Sequence, residues 1–270
     1  MSPSWRERTE VVVGPQAVHL VRVPRGLRDR PLRWTSVACT PEGGRVEAAV
    51  AALSDALSRL PVRPAAVRVV LSHHWVRFVL VPGGRALRSE AERMAAAQHL
   101  LCKVYGEEAQ AWRVVLDGSG GSGAAVAAGV PVGVFDAVLH AVAAARARPL
   151  GVEPLLAFAK RSACRRHTAR GAGWLAVAEP GRLLLGGLAG DRWQTLRSHR
   201  LVGSLADELP TLLEQTAVVE GIGDGLGRRV LVATVGDLDS EFSSGAAWDI
   251  KVVPIVGTPH LDARARTALG

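Results

Sequence analysis

Lysine is nearly missing from this 270-residue chain: of 33 basic residues, only Lys103, Lys160 and Lys251 are lysine. The rest are arginine, set among abundant alanine, glycine and valine, a skew that GC-rich coding produces. Part of the formal charge of +8 and the pI near 10.5 therefore reflects codon usage. The remainder favours contact with something acidic, such as anionic lipid, nucleic acid or an acidic protein surface. Cysteine is scarce too. Cys39, Cys102 and Cys164 are odd in number and far apart, with no metal-ligand spacing, which fits a reducing compartment and small buried apolar roles. No apolar run reaches the roughly 20 residues that cross a bilayer. The opening MSPSWRERTE is polar and charged, unlike a signal peptide. Any membrane association is expected to be peripheral or through a partner.

The common catalytic signatures are absent as well: no Walker sequence, GxSxG elbow, HExxH or CxxC spacing occurs. Glycine alternates from Gly221 to Gly227 but ahead of an expected strand, whereas a dinucleotide loop leaves a strand and opens a helix. Asp117 to Gly123 reads as an exposed flexible loop. His73 and His74 are adjacent on an expected strand edge, so they point to opposite faces and suit no single metal. Glu90, Glu92, Glu107 and Glu108 read as a helix cap and a solvated end. The seven tryptophans are scattered, which favours packing over base stacking.

What the chain has is a layout used twice. Strands at Glu10–Val13, Ala17–Val23 and Leu32–Cys39 lead to a helix over Arg45–Leu60 and a strand at Ala66–Leu71. About 160 residues on, strands at Gly173–Ala178, Arg182–Leu188 and Arg192–His199 lead to a helix over Ser204–Glu220 and a strand at Arg228–Val235. Val46, Val50, Leu53, Leu57 and Leu60 form one apolar stripe of the first helix; Leu205, Leu209, Leu212 and Leu213 do so in the second. Gly14-Pro15-Gln16 and Glu179-Pro180-Gly181 supply the tight turns. Between the two units the sequence predicts strands at Trp75–Val81, Ala111–Leu116 and Ala124–Val130. It also predicts helices at Ser89–Tyr105, opened by a Ser89/Glu92 capping box, at Val134–Arg148 and at Pro154–His167. A last strand is expected at Ile250–Val256.

A β-β-β-α-β unit used twice is the layout of the α/β actin-like, ribonuclease-H-like fold, two lobes around a cleft. The expected division is residues 1–165 for a first lobe, with an inserted subdomain at about 73–130, and 171–270 for a second. The Arg165–Arg170 stretch is the expected boundary. Val69–Pro82 (VVLSHHWVRFVLVP), Ser89–Trp112 and Gly173–Arg200 resemble the actin-like assembly proteins of type IV pilus and type II secretion machines, the PilM family and the cytoplasmic part of GspL. That resemblance implies phosphate loops in the first hairpin of each lobe. In nucleotide-binding members the first loop carries Asp-x-Gly followed by Ser/Thr and Lys. Here Val12 stands at the Asp position and Gly14 is kept. Gln16 follows, no Lys does, and Pro15 removes an amide donor. In the second loop Glu179 and Gly181 remain around Pro180. The cofactor-site candidates are thus the vestigial Gly14, Gln16, Glu179 and Gly181, and the nucleotide site is expected to be degenerate.

The resemblance accordingly implies a pseudo-ATPase scaffold with no catalytic residues, cofactor or metal, at the cytoplasmic face of a bacterial inner membrane. It implies two partners: a membrane-anchored pilus or secretion assembly protein, bound through its cytoplasmic segment, and the assembly ATPase. Nucleic acid is not expected, and self-association stays open. Trp75, Arg77 and Phe78 are the partner-binding candidates, on a groove formed with the hairpin Val11–Val23; the Arg25–Arg33 loop is a candidate for anionic lipid. Two alternatives stand beside this: an active ATP-binding, sugar-kinase-like protein and a basic nucleic-acid-binding module.

Overall fold

Valine, leucine and alanine line both faces of the central strands, the pattern of sheets covered on two sides. The computed structural model describes residues 7–24, 35–39, 45–60, 66–83, 87, 89–117, 123–166, 172–190, 192–235 and 247–256. The first sheet holds β1 (Glu7–Val13), β2 (Ala17–Pro24), β3 (Thr35–Ala38), β4 (Ala66–Leu71) and β8 (Arg148–Pro154), in the order β3-β2-β1-β4-β8. β1 to β3 form an antiparallel meander; β4 lies parallel to β1, and β8 parallel to β4. The second sheet repeats this with β9 (Ala172–Glu179), β10 (Arg182–Ala189), β11 (Arg192–Arg200), β12 (Arg229–Val235) and β13 (Asp249–Val256), ordered β11-β10-β9-β12-β13 in the same senses.

The helices follow from the strand alternation. Val11 and Val13 of β1 turn to α1 (Arg45–Ser58), whose Leu53 and Leu57 are buried, with α3 (Val132–Ala144) alongside. Val12, between them, turns to the opposite face. In the second sheet Trp174, Ala176 and Ala178 turn to α5 (Leu205–Val219), while Leu175 and Val177 turn away. Both inward faces meet on α4 (Leu155–Arg166), where Leu155, Leu156, Phe158 and Ala159 join Val12, Val70, Leu175, Val177 and Ala233 in one cluster. One helix thus supplies core to both sheets. A third, antiparallel sheet is formed by β5 (Arg77–Val81), β6 (Trp112–Leu116) and β7 (Ala125–Pro131), ordered β5-β7-β6. α2 (Glu90–Tyr105) covers one of its faces through Ala97 and Leu101.

Two expectations are corrected here. The helix expected over Val134–Arg148 ends at Ala144; Arg146 takes φ 55° and the chain then enters β8. Its sequence, RPLGVEP, gives no strand signal, yet its prolines are tolerated because β8 is an edge strand with β4 as its one neighbour. His73 and His74 are not on a strand. They sit in a turn between β4 and β5, where Ser72 Oγ accepts from the His74 amide at 3.0 Å and Ser72 O from the Trp75 amide. Residues 25–34, 118–122 and 167–171 lie outside the described residues, and with them the lipid-loop candidate, most of the glycine loop and most of the expected lobe boundary. Among the described residues, no helix is long and apolar enough to cross a membrane.

Candidate functional site

The two hairpin turns that the sequence aligned as a pair face each other across a cavity of about 730 Å³. Pro15 and Gln16 of the β1–β2 turn line one side; Pro180, Gly181 and Arg182 of the β9–β10 turn line the other. Arg45 at the start of α1, His74, and Ser198 to Arg200 at the end of β11 complete the wall. Gly181 has φ 76°, the left-handed region where glycine is at ease. Of the four vestigial candidates, Gln16 and Gly181 therefore line one space. Gly14 stands behind it, its amide donating to Ala17 O at 3.1 Å.

Glu179 does not line the cavity. It is buried at the end of β9 and reaches into the first half of the molecule: its Oε2 accepts from Ser72 Oγ at 3.0 Å and from the His73 amide at 2.9 Å. Burial pushes its pKa up to about 7, against the opposing pull of those two donors and of Arg182. His73 is equally buried, its imidazole edge-on to Phe78 with centroids 5.5 Å apart and both ring nitrogens unpartnered. Its Nδ1 lies 3.6 Å from Glu179 Oε2, but burial, with Arg182 and His74 adding, lowers its pKa to about 3. The imidazole is therefore neutral, and the contact is no charged pair. Two further contacts cross beside it: His74 Nε2 lies 3.1 Å from Pro180 O, and Arg182 Nη1 donates to His73 O at 3.4 Å. Since a carbonyl only accepts, His74 carries its proton on Nε2. The turns 72–76 and 179–182 are thus stitched together. Sequence reading singled out His73 but not its contact, and missed Ser72 and Arg182; their partners lie more than 100 residues away.

The three partner-binding candidates have different surroundings. Trp75 packs against the first core cluster with a buried indole nitrogen. Arg77 Nη1 donates to His73 O at 3.1 Å and His74 O at 3.2 Å, capping the turn. Phe78 packs against two clusters and lines a second cavity of about 620 Å³. That cavity lies among the inserted sheet, α4 and β11: Val115, Val126 and Ala128 face Leu156, Lys160, Arg161 and Trp193. Lys160 Nζ sits 5.0 Å from the Trp193 ring centre and 3.5 Å from Asp117. The hairpin Val11–Val23, expected beside Phe78 in one groove, is interior: β1 and β2 each have strands on both sides.

No family model and no curated protein matches the sequence. Solved structures do match. The PilM–PilN type IV pilus biogenesis complex aligns over 97% of this chain and 94% of that one, with TM-score 0.68 and 16% identity. Two duplicated sheets in one order, matched end to end, decide the architecture. The chain has the actin-like ATPase fold. The cytoplasmic domain of EpsL, an inner-membrane component of the Vibrio cholerae type II secretion system, aligns over 92% of this chain and 90% of its own, with TM-score 0.58 and 13% identity. A Bacteroides thetaiotaomicron protein of actin-like ATPase fold and unknown function covers 87% and 84%, with TM-score 0.59 and 7% identity.

In an actin-like protein the facing hairpins are where a magnesium nucleotide is expected, and the residues present do not fit one. The described lining carries no carboxylate, the one nearby has its Oε2 taken by Ser72 and His73, and prolines replace two amides. Among the described residues, no group of three or more His, Cys, Asp or Glu could hold a metal.

Proposed function

We propose that this protein is a non-catalytic scaffold of a type IV pilus or type II secretion assembly platform, at the cytoplasmic face of the bacterial inner membrane. Residues 1–165, with an insertion at about 73–130, and 171–270 act as its two lobes, and the second cavity takes the cytoplasmic segment of a membrane-anchored partner. Contact with the assembly ATPase and self-association belong to the same reading. The carrying observation is that the cleft keeps actin-like hairpins while Glu179 is spent on a contact between them rather than on a metal. Further support comes from Phe78, which lies on a wall combining apolar side chains with the charged Lys160, Arg161 and Asp117, suited to an amphipathic extended segment.

Two measurements test this. Calorimetry and phosphate release with Mg-ATP are expected to give no magnesium-dependent binding at micromolar concentration and no turnover; either one overturns the non-catalytic reading. The partner is expected to be encoded beside this gene, with a short N-terminal tail and one membrane helix. Its tail peptide should bind in fluorescence anisotropy and weaken about tenfold on Phe78→Ala, the loss of a buried aromatic anchor. A tail that binds the variant as tightly as the parent removes the assigned groove.

A further inference from the structure

A bare sheet edge is a template for another strand, and proteins blunt such edges with short strands, proline, lysine or a covering element. Of the strands that end the three sheets, β3 is four residues long, β8 carries Pro149 and Pro154, and β13 carries Lys251 and Pro254. β5 and β11 cover each other. β6 has none of these guards. It reads WRVVL, with β7 on one side and, among the described residues, no strand on the other. Its register shows which backbone groups are spare. The Asp117 amide donates to Val126 O at 2.8 Å, and hydrogen-bonded pairs alternate along an antiparallel ladder. Arg113 and Val115 therefore bond inward to β7, while the N–H and C=O of Val114 and Leu116 point outward. On the strand face turned from α2, Val115 is 53% exposed between the exposed Arg113 and Asp117.

We propose that two copies of this chain join edge to edge through β6, antiparallel about a two-fold axis at Val115, so that two three-stranded sheets become one of six strands. The segment Arg113–Asp117 is complementary to itself in that register. Arg113 falls opposite Asp117 of the second copy, and Asp117 opposite its Arg113, so opposite charges meet twice. Val115 meets Val115, which covers the exposed apolar side chain. Val114 falls opposite Leu116, and their spare groups exchange hydrogen bonds at both ends of the axis, four in all. A patch complementary to itself under a two-fold is what an isologous dimer requires. The inference rests on the self-association named in the proposed function and gives its surface. A monomeric chain removes both and leaves the tail-binding assignment to its own anisotropy test; a dimer through another surface removes this inference alone.

The test is sedimentation velocity of the full chain between about 1 and about 100 µM, where a dimer is expected to form. Val114→Pro deletes an N–H that faces outward, which an edge strand tolerates, and removes two of the four bonds. The dimer should weaken about tenfold. Arg113→Asp sets carboxylates opposite each other and should also weaken it about tenfold, whereas Arg113→Asp combined with Asp117→Arg should restore it. These charge variants, on exposed side chains, serve where Val114→Pro does not fold. A chain that stays monomeric overturns the proposal, as does a dimer that neither single variant weakens. Failure of the double exchange to restore the dimer overturns the register and the proposal with it. Val114 does not line the second cavity, so a monomer whose tail-peptide affinity falls on Val114→Pro gives this edge to the partner and overturns the second copy as its occupant.

Discussion

The two five-stranded sheets have the same strand order and the same strand senses, yet their first hairpins serve different ends. The β1–β2 turn contributes Pro15 and Gln16 to a cavity wall and, among the described residues, makes no hydrogen bond to the other half. The β9–β10 turn is preceded by Glu179, which crosses to Ser72 and His73. A repeated backbone evidently constrains strand pairing and core, while the residues at strand ends are free to diverge. The surroundings differ as well. Between β4 and β8 the first half holds a three-stranded sheet, α2 and α3, whereas β12 and β13 are separated by 13 residues.

The sharpest way to break that comparison is to ask whether the halves unfold separately. Leu53 on α1 belongs to the first half alone, whereas Leu155 on α4 packs against both sheets; both are fully buried. Leu→Ala at such sites costs about 2–5 kcal/mol. If α4 makes one cooperative unit, each variant lowers a single calorimetric transition. Two transitions, with Leu53→Ala moving only one, would make the halves independent and the shared cluster a minor contact.

The next effect concerns Glu179. Its folded pKa of about 7 lies above the ordinary 4.5, so its contribution is complete below about pH 4.5 and is lost as pH rises through about 7. His73 has the opposite sign. Its folded value of about 3 lies below 6.5, so its contribution is complete above pH 6.5 and fades as pH falls toward 3. Glu179→Gln keeps a neutral acceptor for Ser72 and the His73 amide, so it should gain on the parent protein between about pH 5 and about pH 8. Glu179→Ala leaves both buried donors without a partner and should cost about 2–3 kcal/mol near neutral pH. Denaturant midpoints across that range check both. A parallel pH profile for Glu179→Gln and the parent would mean that the carboxylate does not titrate in this window.

How far the sequence reaches depends on the range of each interaction. The doubled layout, the Gly14 and Gly181 turns, the Ser89 cap and the apolar stripes of α1 and α5 were legible because each is decided within about a dozen residues. β8 was not, since Pro149, Gly151 and Pro154 mask a strand that exists only through pairing with β4. Nor was the role of Arg77, which looked free for a partner but is drawn back onto the carbonyls of a turn that Ser72 shapes. The Glu179 crossing joins positions 107 residues apart, beyond any local pattern.

The smallest effect compares two helix starts, one in the inserted sheet and one in the second half. Ser89 forms a complete capping box on α2: its Oγ accepts from the Glu92 amide at 3.1 Å, and Glu92 Oε2 accepts from the Ser89 amide at 2.9 Å. Ser204 caps α5 through the Asp207 amide at 3.2 Å, but there the Asp207 carboxylate binds the Ser204 hydroxyl. Glu208 instead takes the amides of Val202 and Gly203. Ser89→Ala removes the acceptor for the Glu92 amide and should cost about 1 kcal/mol. Ser204→Ala should cost less, because Glu208 still gathers the amides ahead of the helix. Hydrogen exchange locates the difference. α2 packs mainly on the inserted sheet, so Ser89→Ala should speed exchange there and leave the amides of α5 as slow as in the parent. Equal acceleration in both regions would show the insertion to be part of the same cooperative body as the second half, and not a separately yielding element.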